Sequence, residues 1–253
     1  MGKVFAISDL HGADLKLFQK VLDYLQTEDK LYIIGDVIDR GEYGIDLLEI
    51  IMKDPHCFLI KGNHEQMMIN AQTKRINVQT NRATWGLWMQ NGGAITEDAV
   101  YKRTKQKQED IMNFLRGLHT RGYYKCQDGK KIILEHAGFT PGWEGTYYHD
   151  PYWDRNHFIE PWKGDSDTYI VHGHTPVHYL KFEYDYFGKD IEETTKEELE
   201  IKRQWYENGI IDWKPTIIRY CDGHKFDIDM GTISSQRIAL LDLETFECKY
   251  FDK

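Results

Sequence analysis

Val4-Phe5-Ala6-Ile7-Ser8-Asp9-Leu10-His11-Gly12 opens with four apolar residues and stops abruptly at polar, metal-ligating types. The same shape returns in Leu31-Tyr32-Ile33-Ile34-Gly35-Asp36, in Cys57-Phe58-Leu59-Ile60-Lys61-Gly62-Asn63, in Lys131-Ile132-Ile133-Leu134-Glu135-His136 and in Thr168-Tyr169-Ile170-Val171-His172-Gly173-His174. Short runs of β-branched and aromatic residues, cut off by turn formers, read as buried strands. Between the first two, Leu15, Phe18, Val21, Leu22 and Leu25 recur at helical spacing behind Asp14. Ile45, Leu47, Leu48, Ile50 and Ile51 supply a second helix ahead of Cys57. Strand, helix, strand in alternation predicts an α/β protein with a largely parallel core.

Working outward, Glu65 to Leu118 is helix-compatible and amphipathic, interrupted at Asn91-Gly92-Gly93. Lys181 to Lys225 is charged and aromatic, with Thr195 and Glu198 spaced as a capping box and Gly209 as a helix stop. It reads as an insertion at about 181–225 within a single domain spanning 1–253, emerging beside the last strand end as a lid or substrate-selecting wall. Phe226 to Gly231 and Arg237 to Leu243 are two further strand-like runs, expected to complete a second sheet.

The chain of 253 residues is 41% hydrophobic, which suits one globular domain with a sizeable core. A net charge of −9 argues against general binding to nucleic acid or to anionic membranes, both of which reward a basic surface. Cys57, Cys126, Cys221 and Cys248 lie far apart, so neither a disulfide framework nor a zinc ribbon is expected, and reduced thiols in a cytoplasm are the plain reading. The N-terminal residues carry no targeting pattern, and Ala6 stands where a myristoylation signal needs Ser or Thr.

In open α/β sheets, ligands bind just beyond the carboxyl ends of the strands. There the chain places Asp9, His11, Asp36, Asn63, His64, His136 and His174, so five strand ends converge on one crevice. Asp9, His11, Asp36, Asn63, His136 and His174 make an oxygen and nitrogen donor set without thiolate, suited to two divalent ions such as Mn, Fe or Zn. Asp36 is the natural shared carboxylate. Any one histidine alone is more often a core or surface residue. His172, two before His174, reads as a strand residue facing away from the ions, and His178 and His224 are also left outside the site. Asp46, Glu49 and Asp54 read as the solvated side of a helix and the turn after it. The aromatic residues from Trp143 to Trp162 read either as substrate brackets or as loop anchors.

Ser8 to Gly12, Gly35 to Gly41 (G-D-V-I-D-R-G), Gly62 to Glu65 (G-N-H-E), His136 to Gly138 (H-A-G) and Gly173 to Thr175 (G-H-T) together resemble the calcineurin-like metallophosphoesterases. The type resembled is the phosphoprotein phosphatase, which includes bacterial and phage serine/threonine phosphatases. Trp88 to Gly93 and Ile228 to Gly231 add weaker support. The resemblance implies a four-layer α/β/β/α sandwich with two mixed central sheets flanked by helices. It implies that Asp9 and His11 bind one metal, Asp36 bridges, and Asn63, His136 and His174 bind the other, with manganese the expected ion. It further implies that His64 protonates the leaving alkoxide while Asp39 holds its imidazole, and that Arg40 clamps the phosphate. Arg155, in Trp153-Asp154-Arg155, fits the place of the family's second arginine. Ser8 departs from the family pattern, which has glycine before the first aspartate.

The implied reaction is hydrolysis of a phosphomonoester by a hydroxide bridging two ions, with a phosphorylated protein or a small phosphoester as substrate. Symmetrical dinucleoside tetraphosphatases share most of these motifs but usually carry Asp where this chain has Glu65. A phosphodiesterase is disfavoured by the acidic charge. A catalytically dead metal-binding scaffold should have lost ligands or His64, and none is lost.

Overall fold

The computed structural model describes residues 2–73, 78–142, 149–179 and 214–253. Each apolar run becomes a strand. In the first sheet, β1 (Val4–Ile7), β2 (Lys30–Ile34) and β3 (Cys57–Ile60) are parallel. In the second, β4 (Arg121–Lys125) pairs antiparallel with β5 (Lys131–Glu135), which is parallel to β6 (Thr168–His172). β7 (Ile218–Tyr220) closes that sheet antiparallel to β8 (Lys225–Asp227), giving the order β4-β5-β6-β8-β7. β9 (Arg237–Asp242) and β10 (Cys248–Asp252) return to the first sheet, ordered β10-β9-β1-β2-β3. Both sheets are mixed.

Alternation along the strands builds two apolar layers. Val4, Ala6, Ile34 and Ile60 of the first sheet share a cluster with Ile132, Leu134, Val171 and Phe226 of the second. Phe5, Ile7, Leu31 and Ile33 instead belong to the core under the helices. That core draws on α1 (Leu15–Tyr24), α2 (Gly44–Ile51), α3 (Asn63–Thr73), α4 (Val78–Gln90), α5 (Gly93–Tyr101) and α6 (Lys105–Gly117). Each wholly buried leucine or isoleucine there contributes about 1.5–3 kcal/mol. Asp14 caps α1 by accepting from Lys16 N–H at 2.9 Å. A short α7 (Thr232–Ser235) leads into β9.

Three readings need correction. The run from Arg237 lies in the first sheet, pairing Ala6 with Leu241, rather than in the second. Both its faces are buried, Leu240 among the helices and Leu241 between the sheets, so its own pattern could not choose a sheet. The far end of the expected insertion is sheet, since Ile218–Tyr220 and Lys225 are paired strand; residues 181–213, with Thr195, Glu198 and Gly209, lie outside the described residues. Asp46 and Glu49 are not merely solvated, because Arg103 Nη2 and Nε meet them at 2.6 and 3.2 Å.

Candidate metal centre

All five carboxyl ends expected to converge do so. Six residues named from the sequence hold left-handed backbone: Asp9 (φ 52°), His11 (44°), Asp36 (53°), Asp39 (71°), Arg40 (66°) and His174 (70°). Such conformations cost of order 1–3 kcal/mol each for non-glycine residues and persist only where the surroundings enforce them. Here the enforcement is a close crossing of two loops. His11 N–H donates to Asp36 O at 2.8 Å, Gly12 N–H to Val37 O at 2.8 Å, and Gly41 N–H to His11 O at 2.9 Å. A Cβ on Gly12 would lie 2.4 Å from Gly41 O, so only bare α-carbons permit the approach.

The imidazoles are aimed by their outer nitrogens. His136 Nδ1 meets Ile34 O at 2.9 Å, and His11 Nδ1 meets Ile38 O at 3.2 Å. A carbonyl can only accept, so each ring donates its Nδ1–H outward and turns Nε2 inward. Both Nε2 atoms face Asp36 Oδ2, at 3.3 and 3.5 Å. Asn63 Oδ1 lies 2.8 Å from His136 Nε2 and 3.1 Å from His174 Nδ1, with the Asp36 oxygens 3.3 and 3.0 Å away. Among the described residues, His174 Nε2 is buried with no hydrogen-bond partner.

On the other side of Asp36, Asp9 Oδ2 accepts from Ser8 Oγ–H and, at 3.0 Å, from His174 N–H, leaving a buried, unpartnered Oδ1 at 4.0 Å from His11 Nε2. His11, Asp36 and His64 form one group with metal-ligand spacing, and Asp36, His136 and His174 form another. Asp9 is in neither group, yet its free oxygen is turned to His11.

Charge fits a cation at this place. Burial pushes the Asp9 carboxyl up to about 7 and holds His11 and His174 well below the usual imidazole range. Burial also opposes charge on His136, but Asp36 beside it outweighs that and holds the ring at about 10. Burial works against the Asp36 carboxylate too, and the His136 and His64 rings outweigh it, keeping the group well below the carboxylate range. One anionic oxygen ringed by buried imidazole nitrogens suits a bound cation, which would take the place of the proton on His136.

The remaining predicted residues stand around this centre. His64 Nδ1 meets Asp39 Oδ2 at 2.6 Å, and Arg40 Nη2 donates to His64 Nε2 at 3.2 Å. Arg155 Nε donates to Thr175 Oγ1 at 3.0 Å, next to His174, whose ring Trp153 meets edge-on at 5.6 Å. Trp162 instead stacks on His224 at 4.5 Å, a loop anchor, while Trp143 lies outside the described residues. His172 bonds Tyr220 Oη at 2.7 Å and belongs to neither metal-spaced group.

Two supporting residues were not given roles by sequence reasoning. Glu65, wholly buried, accepts the N–H groups of Asp36, Val37 and Gly62, each at 2.9 Å, and so fixes the loop that carries Asp36. Trp88 Nε1–H donates to Asp39 Oδ2 at 2.9 Å. Both sat inside quoted motifs, in G-N-H-E and at the head of W-M-Q-N-G-G, which was the only signal available.

Two facing mixed sheets with a carboxylate-centred cluster of Asp, Asn and His at their strand ends define a metallophosphoesterase architecture. The chain belongs to the calcineurin-like phosphoesterase family, whose profile matches residues 2–210. It is 27% identical over 143 residues to a symmetrical bis(5'-nucleosyl)-tetraphosphatase of Baumannia cicadellinicola, covering 55% of this chain and 43% of that protein. It is 26% identical over 145 residues to serine/threonine-protein phosphatase 2 of Escherichia coli, covering 56% of this chain and 60% of that one. These matches therefore span about half the length of the curated relatives. In fold, the chain resembles a protein serine/threonine phosphatase from Saccharomyces cerevisiae with a TM-score of 0.53 at 9% identity, covering 100% of this chain and 80% of that one. It likewise resembles a cold-active protein-tyrosine phosphatase from a Shewanella species, with a TM-score of 0.52 at 15% identity over 100% and 81% of the two chains. No described helix is long and apolar enough to cross a membrane.

Proposed function

We propose that this protein is a metal-dependent phosphomonoesterase, acting on phosphoserine and phosphothreonine in proteins. The observation that carries the chemistry is the pair of imidazoles, His11 and His136, which donate outward to backbone carbonyls and turn both Nε2 atoms on the single oxygen Asp36 Oδ2. On this reading Asp9, His11 and Asp36 hold one ion, and Asp36, Asn63, His136 and His174 hold the other. The donor set suits manganese, with iron or zinc as further fits. Bound there, two divalent ions supply Lewis acidity toward phosphoryl oxygens and lower the pKa of water toward neutrality.

The chain's own residues do the rest. Arg40 and Arg155, one beside His64 and one beside His174, offer guanidinium N–H groups to the phosphoryl oxygens. His64, with Nδ1 held by Asp39, delivers a proton from Nε2 to the departing ester oxygen. Nε2, which accepts from Arg40 in the structure, takes up that proton from water once Arg40 turns to the phosphate. Four free cysteines accord with a reducing cytoplasm as the working compartment.

The second reading is hydrolysis of symmetrical dinucleoside tetraphosphates, favoured by the similarity to relatives of that name. Glu65, where those enzymes usually carry Asp, favours the first. Turnover with manganese on a phosphothreonine peptide, diadenosine tetraphosphate, an aryl phosphate and a phosphodiester decides between them. We expect the phosphopeptide to be hydrolysed best, with His64→Asn and Asp36→Asn both losing it. Activity confined to diadenosine tetraphosphate overturns the substrate reading, and metal binding without any turnover overturns the enzyme reading in favour of a scaffold.

A further inference from the structure

Trp88 is the largest side chain fully shut off from solvent among the described residues. Its indole N–H donates to Asp39 Oδ2 at 2.9 Å, the same oxygen that meets His64 Nδ1 at 2.6 Å. An indole nitrogen only donates, so this bond fixes Oδ2 as an acceptor in every state of the histidine. Asp39 is itself wholly buried, and the donor offsets part of the cost of keeping a carboxylate there.

Two further hydrogen bonds reach the Asp39–Arg40 turn from the elbow between α4 and α5 and from the first turn of α5. Asp39 N–H donates to Thr96 Oγ1 at 2.9 Å, and Arg40 N–H donates to Gly92 O at 3.2 Å. Gly92 takes φ 98° and passes so close that a Cβ would lie 3.0 Å from Arg40 Cγ. At Gly93 a Cβ would lie 2.5 Å from Trp88 Nε1, so the bare α-carbon leaves room for the indole. The elbow thus clamps the backbone of the two left-handed residues and one carboxylate oxygen, and no residue of it belongs to either metal-spaced group.

We propose that Trp88 is a positioning residue for protonation of the leaving group: its indole fixes the Asp39 carboxylate and, through it, the ring of His64. The inference rests on the reading of His64 given above. An alkyl phosphate needs a proton on its departing oxygen, whereas 4-nitrophenolate leaves without one. The two esters therefore separate a misaimed His64 from general damage to the site.

In Trp88→Phe a smaller aromatic ring remains and the N–H goes. With manganese, kcat on a phosphothreonine peptide should fall about tenfold, as for loss of one hydrogen bond to a charged group, while kcat on 4-nitrophenyl phosphate stays within about twofold. Manganese affinity by calorimetry should not move. The double variant with Asp39→Asn should be no worse than Asp39→Asn alone, because the two act in series. If Phe at this position prevents folding, Gly93→Ala serves instead: it keeps every donor, adds a helix-favouring side chain, and crowds the indole out of line, so it should show the same split between esters.

Equal losses on both esters with intact metal binding, unchanged kcat on both, or additive losses in the double variant overturn the inference. If His64→Asn splits the two esters and neither Trp88→Phe nor Gly93→Ala does, the role of Trp88 falls and that of His64 stands. If His64→Asn shows no split, the reading of His64 falls and takes this inference with it.

Discussion

Asp36 Oδ2 meets His11, His136 and His64 Nε2 at 3.5, 3.3 and 3.8 Å, so three separate chain segments depend on one oxygen for their arrangement. Its backbone depends in turn on Glu65, whose two carboxylate oxygens take up the N–H groups of Asp36, Val37 and Gly62. Replacing Glu65 with Gln keeps the shape but turns an NH2 group toward backbone donors, leaving buried N–H groups without acceptors. Glu65→Gln should therefore weaken manganese binding by about 10- to 100-fold, the usual effect of losing an outer hydrogen-bonding partner, with the number of ions unchanged. Asp36→Asn should go further and abolish binding of at least one ion. Titration calorimetry on both variants checks this, and unchanged affinity in either removes the residue from the argument. Glu65 is visible in the sequence, but its task is not, because a carboxylate that accepts from Asp36 across the fold has the same letter as one that faces water.

A histidine helps to tie the segment that carries Arg155 to the second sheet. His149 Nε2 meets Glu135 Oε1 on β5 at 2.8 Å, and its Nδ1 meets Asp154 Oδ2 at 3.1 Å. Arg121 completes the row from β4 by pairing with Glu135 and lying over the Phe139 ring. Burial opposes the charge on His149, but bonds to Asp154 and Glu135 outweigh it and raise the ring to about 9. A raised folded-state value means the stabilisation is fully present below the ordinary imidazole value of about 6.5 and is lost as pH rises through about 9. The melting temperature of the wild type should thus exceed that of His149→Asn near pH 6, and the two should converge above pH 9. A gap that persists at pH 10 would mean that His149 acts by packing alone. This strap was not legible in the sequence, since Glu135, His149 and Asp154 become a row only after β5 and the loop to Asp154 lie side by side.

For the whole molecule, the two sheets bury Asp9, Asp36, Asp227 and Asp229 near their shared end, and burial pushes Asp9, Asp227 and Asp229 above the ordinary carboxylate range. Concentrating anionic groups in a low-dielectric place costs stability that bound cations return. At a manganese concentration about 100 times the dissociation constant, the gain is about 2.7 kcal/mol, or on the order of 5 to 10 °C in melting temperature for a chain of this length. A thermal melt with and without chelator measures it, and identical curves would count against a built cation site. By itself the sequence determined the strands that end in Asp, Asn or His, the six ligand candidates and the family, because hydrophobic period and turn chemistry are local and the donor types are explicit in the residues. Only the tertiary structure decided that the Arg237 strand joins the first sheet, that Ile218–Tyr220 belongs to the second, and that Glu65 bonds the Asp36 loop, Trp88 bonds Asp39 and His149 bonds Glu135. Those outcomes depend on which surfaces meet across long stretches of chain, and a strand buried on both faces or a polar side chain paired at a distance carries no local mark of its partner.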